Sequence, residues 1–324
     1  MKTILVITNK DDLTVDFIIK ELQKRGSSYY RLNTEDIPNN IQVNFNLQAN
    51  IYELTDTLKQ VTINLLSFDS VYYRRPLLNN LEFIDRISAQ EKNYLRGELS
   101  FILEGIYKIL KNKRWLNNVY HIREAENKIY QVQMAQNIGF KVPQSIVSNQ
   151  VEKINQFRKD VGEDCIIKPI KSGNMKDKDR PKAVFTTKVN EKSFIATNRI
   201  ESFPLYMQKN IHKKYDLRVN VIGQEVYAAQ IHSQVNKSSE IDWRKGQEVP
   251  EHRKHNLPEN IKQMCIGLTK KMNLNYSAID MILDKHGEYV FLEINPNGQW
   301  AWIENKLGFP IAAKIVDLLN TEGN

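Results

Sequence analysis

The sequence predicts an α/β (α+β) chain of two or three packed domains. Three observations carry that prediction. The chain has 324 residues, more than one compact core usually holds. It opens on a strand–helix–strand pattern, and it closes on two apolar strands set between amphipathic helices.

The first region covers residues 1–118. Thr3–Thr8 is a short apolar run, too short for a signal peptide and suited to a buried first strand. Asp11 or Asp12 can cap a helix through Lys24 that sets Val15, Ile18, Ile19 and Leu22 on one face, and Gly26 can end it. Ser28–Leu32, Gln42–Ala49, Val61–Leu66 and Ser70–Tyr73 read as strands. Pro76 then leaves Arg74 and Arg75 at a loop mouth, either as solvated charges or as contacts for an anion. Ser88–Leu110 is a long amphipathic helix, and a brief strand at Trp115–Asn118 closes the domain.

The second region covers residues 119–202. Glu124–Ile138 is helix-like, carries Lys128 and stops at Gly139. A strand near Ser145–Val147 and a helix near Val151–Val161 lead to Asp164–Pro169, an apolar strand ending in Lys168. Lys171–Lys182 is basic and turn-rich, an extended hairpin or a mobile loop before the strand Ala183–Lys188. The third region covers residues 203–324. Tyr215–Val221 and Glu225–Ile231 pair across Gly223, and the polar stretch His232–His255 reads as loop built over a site. The helix Pro258–Met272, the hairpin strands Tyr276–Leu283 and Glu288–Ile294, and the tail helix Pro310–Leu319 complete the chain.

Composition narrows the class. Hydrophobic residues at 41% and charged residues at 26% suit a soluble globular protein, and no apolar run is long enough to span a bilayer. A cytoplasmic location follows as the expectation. The two cysteines, Cys165 and Cys265, each lie in apolar sequence and form no disulfide framework. The formal charge of +8 attracts polyanions, namely nucleotide phosphates, nucleic acid or an acidic peptide. No RNP or zinc-finger pattern accompanies the basic residues, so no nucleic-acid partner is expected. Nor do the six histidines show zinc-ligand spacing. G-x-x-x-x-G-K-[ST], G-x-G-x-x-G and G-x-S-x-G are all missing, which removes P-loop, Rossmann and serine-hydrolase readings.

The final hairpin carries the strongest chemistry. With a loop at Asp284–Gly287, Leu283 faces Glu288, and alternation puts Ile279, Met281 and Leu283 with Val290, Leu292 and Ile294 on an apolar side. Asp280 then shares the other face with Phe291, Glu293 and Asn295. Like charges so placed repel, and a hard divalent cation such as magnesium resolves the conflict; the alternative is a solvated acidic face. Lys168 at its strand end and Lys128 on the preceding helix can meet phosphates. Asp216 and Arg218 lie on one side of their strand, where Arg218 either forks onto a phosphate or closes a structural salt bridge. Asp242-Trp243-Arg244 offers another arginine.

These residues also resemble a family. Asn127-Lys128, Ile166-Ile167-Lys168-Pro169, Tyr206-Met207-Gln208-Lys209-Asn210, Asp216-Leu217-Arg218-Val219, Asp280 and Phe291-Leu292-Glu293-Ile294-Asn295-Pro296 follow the order seen in the ATP-grasp fold, over about residues 120–300. The first domain resembles the α/β domain that precedes that fold. Three runs are more particular: Tyr73-Arg74-Arg75-Pro76, Asp242-Trp243-Arg244, and Leu292–Glu304 with its Gly298-Gln299-Trp300. Together they resemble the microviridin-type peptide macrocyclases, the graspetide synthetases.

The resemblance implies roles. Lys128 and Lys168 would hold ATP phosphates; Gln208, Lys209, Asn210 and Ile211 would form the hinge against adenine; Asp216 would sit near ribose. Arg218 would steady the γ-phosphate and acyl phosphate, and Asp280, Glu293 and Asn295 would bind two magnesium ions. Arg74, Arg75 and Arg244 would meet an acidic core peptide, with Arg244 also counted as catalytic beside Arg218. The basic stretch, with Lys176, Asp177, Lys178, Asp179 and Arg180, would hold the leader of a precursor peptide. In place of the acidic hinge residue of many ATP-grasp enzymes stands Gln208-Lys209. The implied protein is a homodimeric, ADP-forming macrocyclase joining core Asp or Glu carboxylates to Ser or Thr hydroxyls or Lys amines. Two rivals are a ligase of small substrates, of the glutamate- or glutathione-adding kind, and a non-catalytic nucleotide-binding regulator.

Overall fold

The computed structural model describes residues 2–171, 174–177, 180–183, 186–189, 201–235, 241 and 250–321. By contact they form two compact units. The first comprises Met1–Ile122, Leu274–Tyr276 and Gln299–Asn324; the second comprises Arg123–Asn273 and Ser277–Gly298. The segment 299–324, expected with the C-terminal region, thus groups with the first unit.

The first unit is built on a parallel sheet in the order Ser28–Asn33, Thr3–Thr8, Ser70–Tyr73, Arg114–Trp115. Ile4, Leu5, Val6 and Ile7 are all fully buried, as a central strand requires. Helix Leu13–Lys24 follows the first strand and is capped by Asp12, whose side chain accepts from the Thr14 N–H. Its Val15, Ile18 and Leu22 are buried, and the neighbouring tail helix Ile311–Asn320 is tied to its end by Arg25, 2.6 Å from Asp317. The long helix Ala89–Ile109 starts in a capping box between Ser88 and Glu91. A separate antiparallel meander has the order Ile41–Asn46, Ile51–Asp56, Val61–Asn64. Its middle strand was absent from the sequence expectations, because Ile51–Asp56 lacks the apolar alternation that marks its neighbours.

Arg74 departs from expectation. It does not stand at a loop mouth but is 1% exposed, with its Nε 2.8 Å from Asp12. A guanidinium so placed needs its carboxylate, and the same Asp12 holds the helix start, so one side chain serves both tasks.

The second unit holds two larger sheets. One has the order Thr187–Lys188, Cys165–Lys168, Leu205–Lys209, Ser145–Ser148, all antiparallel, with Ile154 of helix Val151–Asp160 packed beneath it. The other has the order His252–His255, Glu225–Ile231, Lys213–Ile222, Tyr276–Asp284, Tyr289–Asn295. The polar stretch expected as loop therefore ends in a strand. The expected hairpin in the basic stretch is present as Asn174–Asp177 paired with Arg180–Ala183. The single helix expected at Glu124–Ile138 is two helices, Val119–Ala125 and Lys128–Ile138. Asn127 makes the break: its side chain accepts from the N–H groups of Ile129 and Tyr130 and starts the second helix at Lys128.

Replacing Asp12 with alanine removes the helix cap and the carboxylate facing buried Arg74. Unfolding in urea should show a loss of about 3–5 kcal/mol, against under about 1 kcal/mol for the exposed Asp11→Ala.

Candidate functional site

Strands Tyr276–Asp284 and Tyr289–Asn295 set the frame. The turn between them closes on Asp284, whose Oδ1 accepts from the N–H groups of His286 and Glu288 at 2.8 and 2.9 Å, while Gly287 takes φ +86°. Leu283 consequently pairs with Tyr289, one residue later than expected from the sequence. Further along, Met281 pairs with Phe291 but Asp280 with Glu293, so Leu292 is an extra residue in a β-bulge.

Each irregularity alone would move Glu293 to the opposite face. The two together shift the pairing by two residues and restore it. Asp280 therefore lies directly opposite Glu293, with Asn295 opposite Ala278 on the same face. Phe291, expected beside Glu293, instead joins the Met281 side and packs on Phe140 at 5.5 Å between ring centroids.

Cations meet this face. The Lys128 Nζ is 3.2 Å from Glu293 and donates to the Pro169 carbonyl at 3.1 Å. A lysine in the first turn of a helix opposes the helix dipole, and these two acceptors offset that cost. The Arg218 Nη1 reaches both oxygens of Asp280, at 3.0 and 3.1 Å. Lys168, at the end of its strand, is half-buried among Glu293, Lys128, Asp280 and Lys213. Burial, aided by the lysine neighbours and opposed by Glu293 and Asp280, pushes its ammonium down to about 8.

Two residues of this site escaped the sequence reading. Buried Gln131 donates to the carbonyls of Ala125 and Ile294, at 2.7 and 2.8 Å, and accepts from the Ile294 N–H at 3.2 Å. It pins the Lys128 helix beside Glu293. Lys213 is buried with its Nζ 2.8 Å from Asp216, which also accepts from the Ser233 hydroxyl at 2.5 Å. The Asp216 carboxylate is thus held in place by Lys213 and Ser233. Adjacent Lys213-Lys214 gives no sequence signal of which lysine turns inward.

The hinge residues end the strand Leu205–Lys209. The Gln208 side chain is buried and donates to Ser145 Oγ at 2.9 Å. The N–H groups of Lys209 and Asn210 are already bonded to the carbonyls of Gln144 and Asp164, and the Asn210 amide donates to the Asp164 carboxylate at 3.2 Å. Ile211 follows, half-buried. Among the described residues, the buried Arg218 Nε and Gln208 Oε1 have no hydrogen-bond partner, which fits a site built for polar ligand atoms. Of the residues expected to hold peptide, Lys176, Asp177 and Arg180 lie in the small hairpin, Arg75 is exposed, and Lys178, Asp179 and Arg244 fall outside the described residues.

Comparisons with known proteins match the fold of both units. Residues 3–123 match the MvdD pre-ATP grasp domain, and residues 125–319 match the RimK-like ATP-grasp domain. The chain is similar in structure to a RiPP-associated ATP-grasp ligase of Chryseobacterium gregarium in complex with ADP and a leader and core peptide. That match has 28% identity and a TM-score of 0.87 over 98% of this chain and 96% of the other. It is also similar to macrocyclase MdnC of Microcystis aeruginosa MRC, bound with precursor peptide MdnA, at 26% identity and TM-score 0.86 over 98% and 99% of the two chains. A probable alpha-L-glutamate ligase of Haemophilus influenzae is 32% identical over 104 residues, 32% of this chain and 33% of that protein. The match to that curated relative thus spans about a third of its length.

Two outcomes test the site's electrostatics and frame. Because the Lys168 ammonium titrates near 8 when folded and near 10.5 when unfolded, the unfolded chain holds more protons between those values. Wild-type stability should therefore rise relative to Lys168→Met as pH increases from about 8 to about 10.5. Gln131→Leu leaves buried backbone groups of Ile294 unsatisfied and should cost about 1–3 kcal/mol in urea unfolding.

Proposed function

Because the chain belongs to the RimK-like ATP-grasp family, we propose that it is an ATP-dependent macrocyclase of a ribosomally made precursor peptide. As a member of that family it is an ATP-dependent ligase. The observation that supports the reading best is the hairpin face, where Asp280 and Glu293 stand opposite each other within reach of Lys128 and Arg218. Its structural neighbours, among them enzymes holding leader, core or precursor peptides, lend support along the whole chain.

In this proposal Asp280, Glu293 and Asn295 would hold magnesium, as two ions. The donor set fits: all three offer oxygen, and magnesium takes few carboxylates while substrate phosphates fill the rest of its shell. Magnesium would neutralise charge on the transferring phosphoryl group. Lys128 and Lys168 bind and orient the phosphates; the hinge Gln208–Ile211 receives adenine, and Asp216, through its Lys213 pair, borders the ribose. Arg218, held by Asp280, turns its guanidinium to the γ-phosphoryl oxygens.

A core Asp or Glu carboxylate attacks the γ-phosphorus and ADP departs, leaving an acyl phosphate. A Ser or Thr hydroxyl or a Lys amine of the same peptide then attacks the acyl carbon. Phosphate leaves, and the nucleophile's proton goes to solvent or a base. Holding both groups on one peptide makes the second step local. Arg75 and Arg244 would face the acidic core, and the hairpin around Lys176–Arg180 the leader. Arg74, buried on Asp12, drops out of that set. A cytoplasmic homodimer completes the proposal.

A second reading, addition of a free amino acid, draws on the likeness to the glutamate ligase. Incubation with Mg-ATP and a precursor peptide of acidic core should remove one water mass per ring; ADP release with free glutamate alone would favour the second reading. Glu293→Gln should lower turnover roughly 100-fold with the fold intact, and Lys128→Met should mainly raise KM for ATP.

A further inference from the structure

The run Asn295-Pro296-Asn297-Gly298 follows Glu293 at the end of its strand. Its composition is that of a tight turn: asparagine first, proline second, glycine fourth. The turn forms, since the Gly298 N–H donates to the Asn295 carbonyl at 3.2 Å. A second bond lies inside it. The Asn297 N–H donates to the Asn295 Oδ1 at 3.0 Å.

Gly298 is not required for backbone freedom. Its φ lies outside the left-handed region, so a residue with a side chain has access to the same backbone. Space is what excludes one. The turn folds Gly298 back onto Ala278, the residue paired with Asn295 across the hairpin. A Cβ added to Gly298 would approach the Ala278 Cβ far inside the 3.0 Å that real side chains respect. It would also come to 3.3 Å from the Asn295 carbonyl oxygen and 3.6 Å from the Ala278 Cα. The same addition at Gly139 or Gly267 would meet nothing nearer than 3.9 Å. Ala278 is fully buried in a strand paired on both sides, so it cannot move aside cheaply.

This corner bears on one residue of the acidic face. Asn295 is the neutral member beside Asp280 and Glu293, and a carboxamide has an oxygen end and an NH2 end of similar shape. Only the oxygen can meet a cation. The Asn297 N–H selects that end, and the bond uses one of the oxygen's two lone pairs. Contact between Gly298 and Ala278 thus sets the turn, the turn sets the Asn297 N–H, and that N–H sets the Asn295 oxygen.

We propose that Gly298 is a positioning residue for the cation site: the side chain it lacks lets the turn close on Ala278, and the closed turn orients the Asn295 oxygen for the ion. The proposal rests on the reading of Asp280, Glu293 and Asn295 as the magnesium site. It gives the glycine of the closing run a task in metal binding that its backbone angles do not ask for.

The test uses full-length protein with saturating ADP and Mn2+ as a paramagnetic substitute for magnesium, free Mn2+ being read by electron paramagnetic resonance. Gly298→Ala should weaken Mn2+ binding at least about tenfold, with ADP affinity in EDTA unchanged. Removing the opposing methyl group as well, in A278G/G298A, should bring Mn2+ affinity back to within about threefold of wild type. Asn295→Ala should weaken Mn2+ by itself, and Gly298→Ala should add nothing on that background, a non-additivity that a merely structural role would not produce. If Gly298→Ala melts early, Ala278→Ser, which presses the same contact from the other side by one atom, is read in its place. If the folded variant holds Mn2+ as tightly as wild type, or its loss adds fully to that of Asn295→Ala, the inference is overturned while Mn2+ uptake by wild type leaves the magnesium site standing. If wild type takes up no Mn2+ beside ADP, the magnesium site falls and the inference with it.

Discussion

Two carboxylates on facing strands of one hairpin repel each other, and the chemistry of the second unit is arranged around that repulsion. Asp280 and Glu293 are direct cross-strand partners, a placement that costs stability when left uncompensated. Compensation comes from separate elements: Arg218 from the neighbouring strand, Lys128 from a helix start, and Lys168 from the other sheet. Lysines gathered there in turn repel one another, which is part of why Lys168 holds its proton less tightly than a free lysine. A site of close, opposed charges suits a ligand that carries several charges itself, and a magnesium–triphosphate is such a ligand.

Much of this was legible beforehand, and the limits are physical. Period-two alternation put Asp280, Glu293 and Asn295 on one face, and proline and glycine marked many of the boundaries. Yet the pairing behind that face differs from expectation twice, at the turn and at Leu292, because neither the length of a turn nor a bulge leaves a mark in hydrophobic alternation. Gln131 and Lys213 were missed for a related reason. A glutamine inside a helix and one of two adjacent lysines look like solvent-facing residues until the neighbouring backbone is known. Arg74 erred in the other direction: its partner Asp12 lies more than sixty residues away in sequence, so local context suggested exposure.

The first unit shows how one acidic residue can decide what a crevice is for. A parallel sheet with a helix after its first strand commonly offers that helix end to phosphate. Here Asp12 occupies the position and also anchors Arg74, so the geometry of a nucleotide domain persists with its anion site filled from within.

The paired irregularities of the final hairpin have a consequence for how such a gene can change. Dropping a residue at Lys285–Gly287 alone, or at Leu292 alone, would carry Glu293 through the sheet to its apolar side. The acidic face thus depends on the turn and the bulge together, so the length of this hairpin is part of the site as much as the carboxylates are.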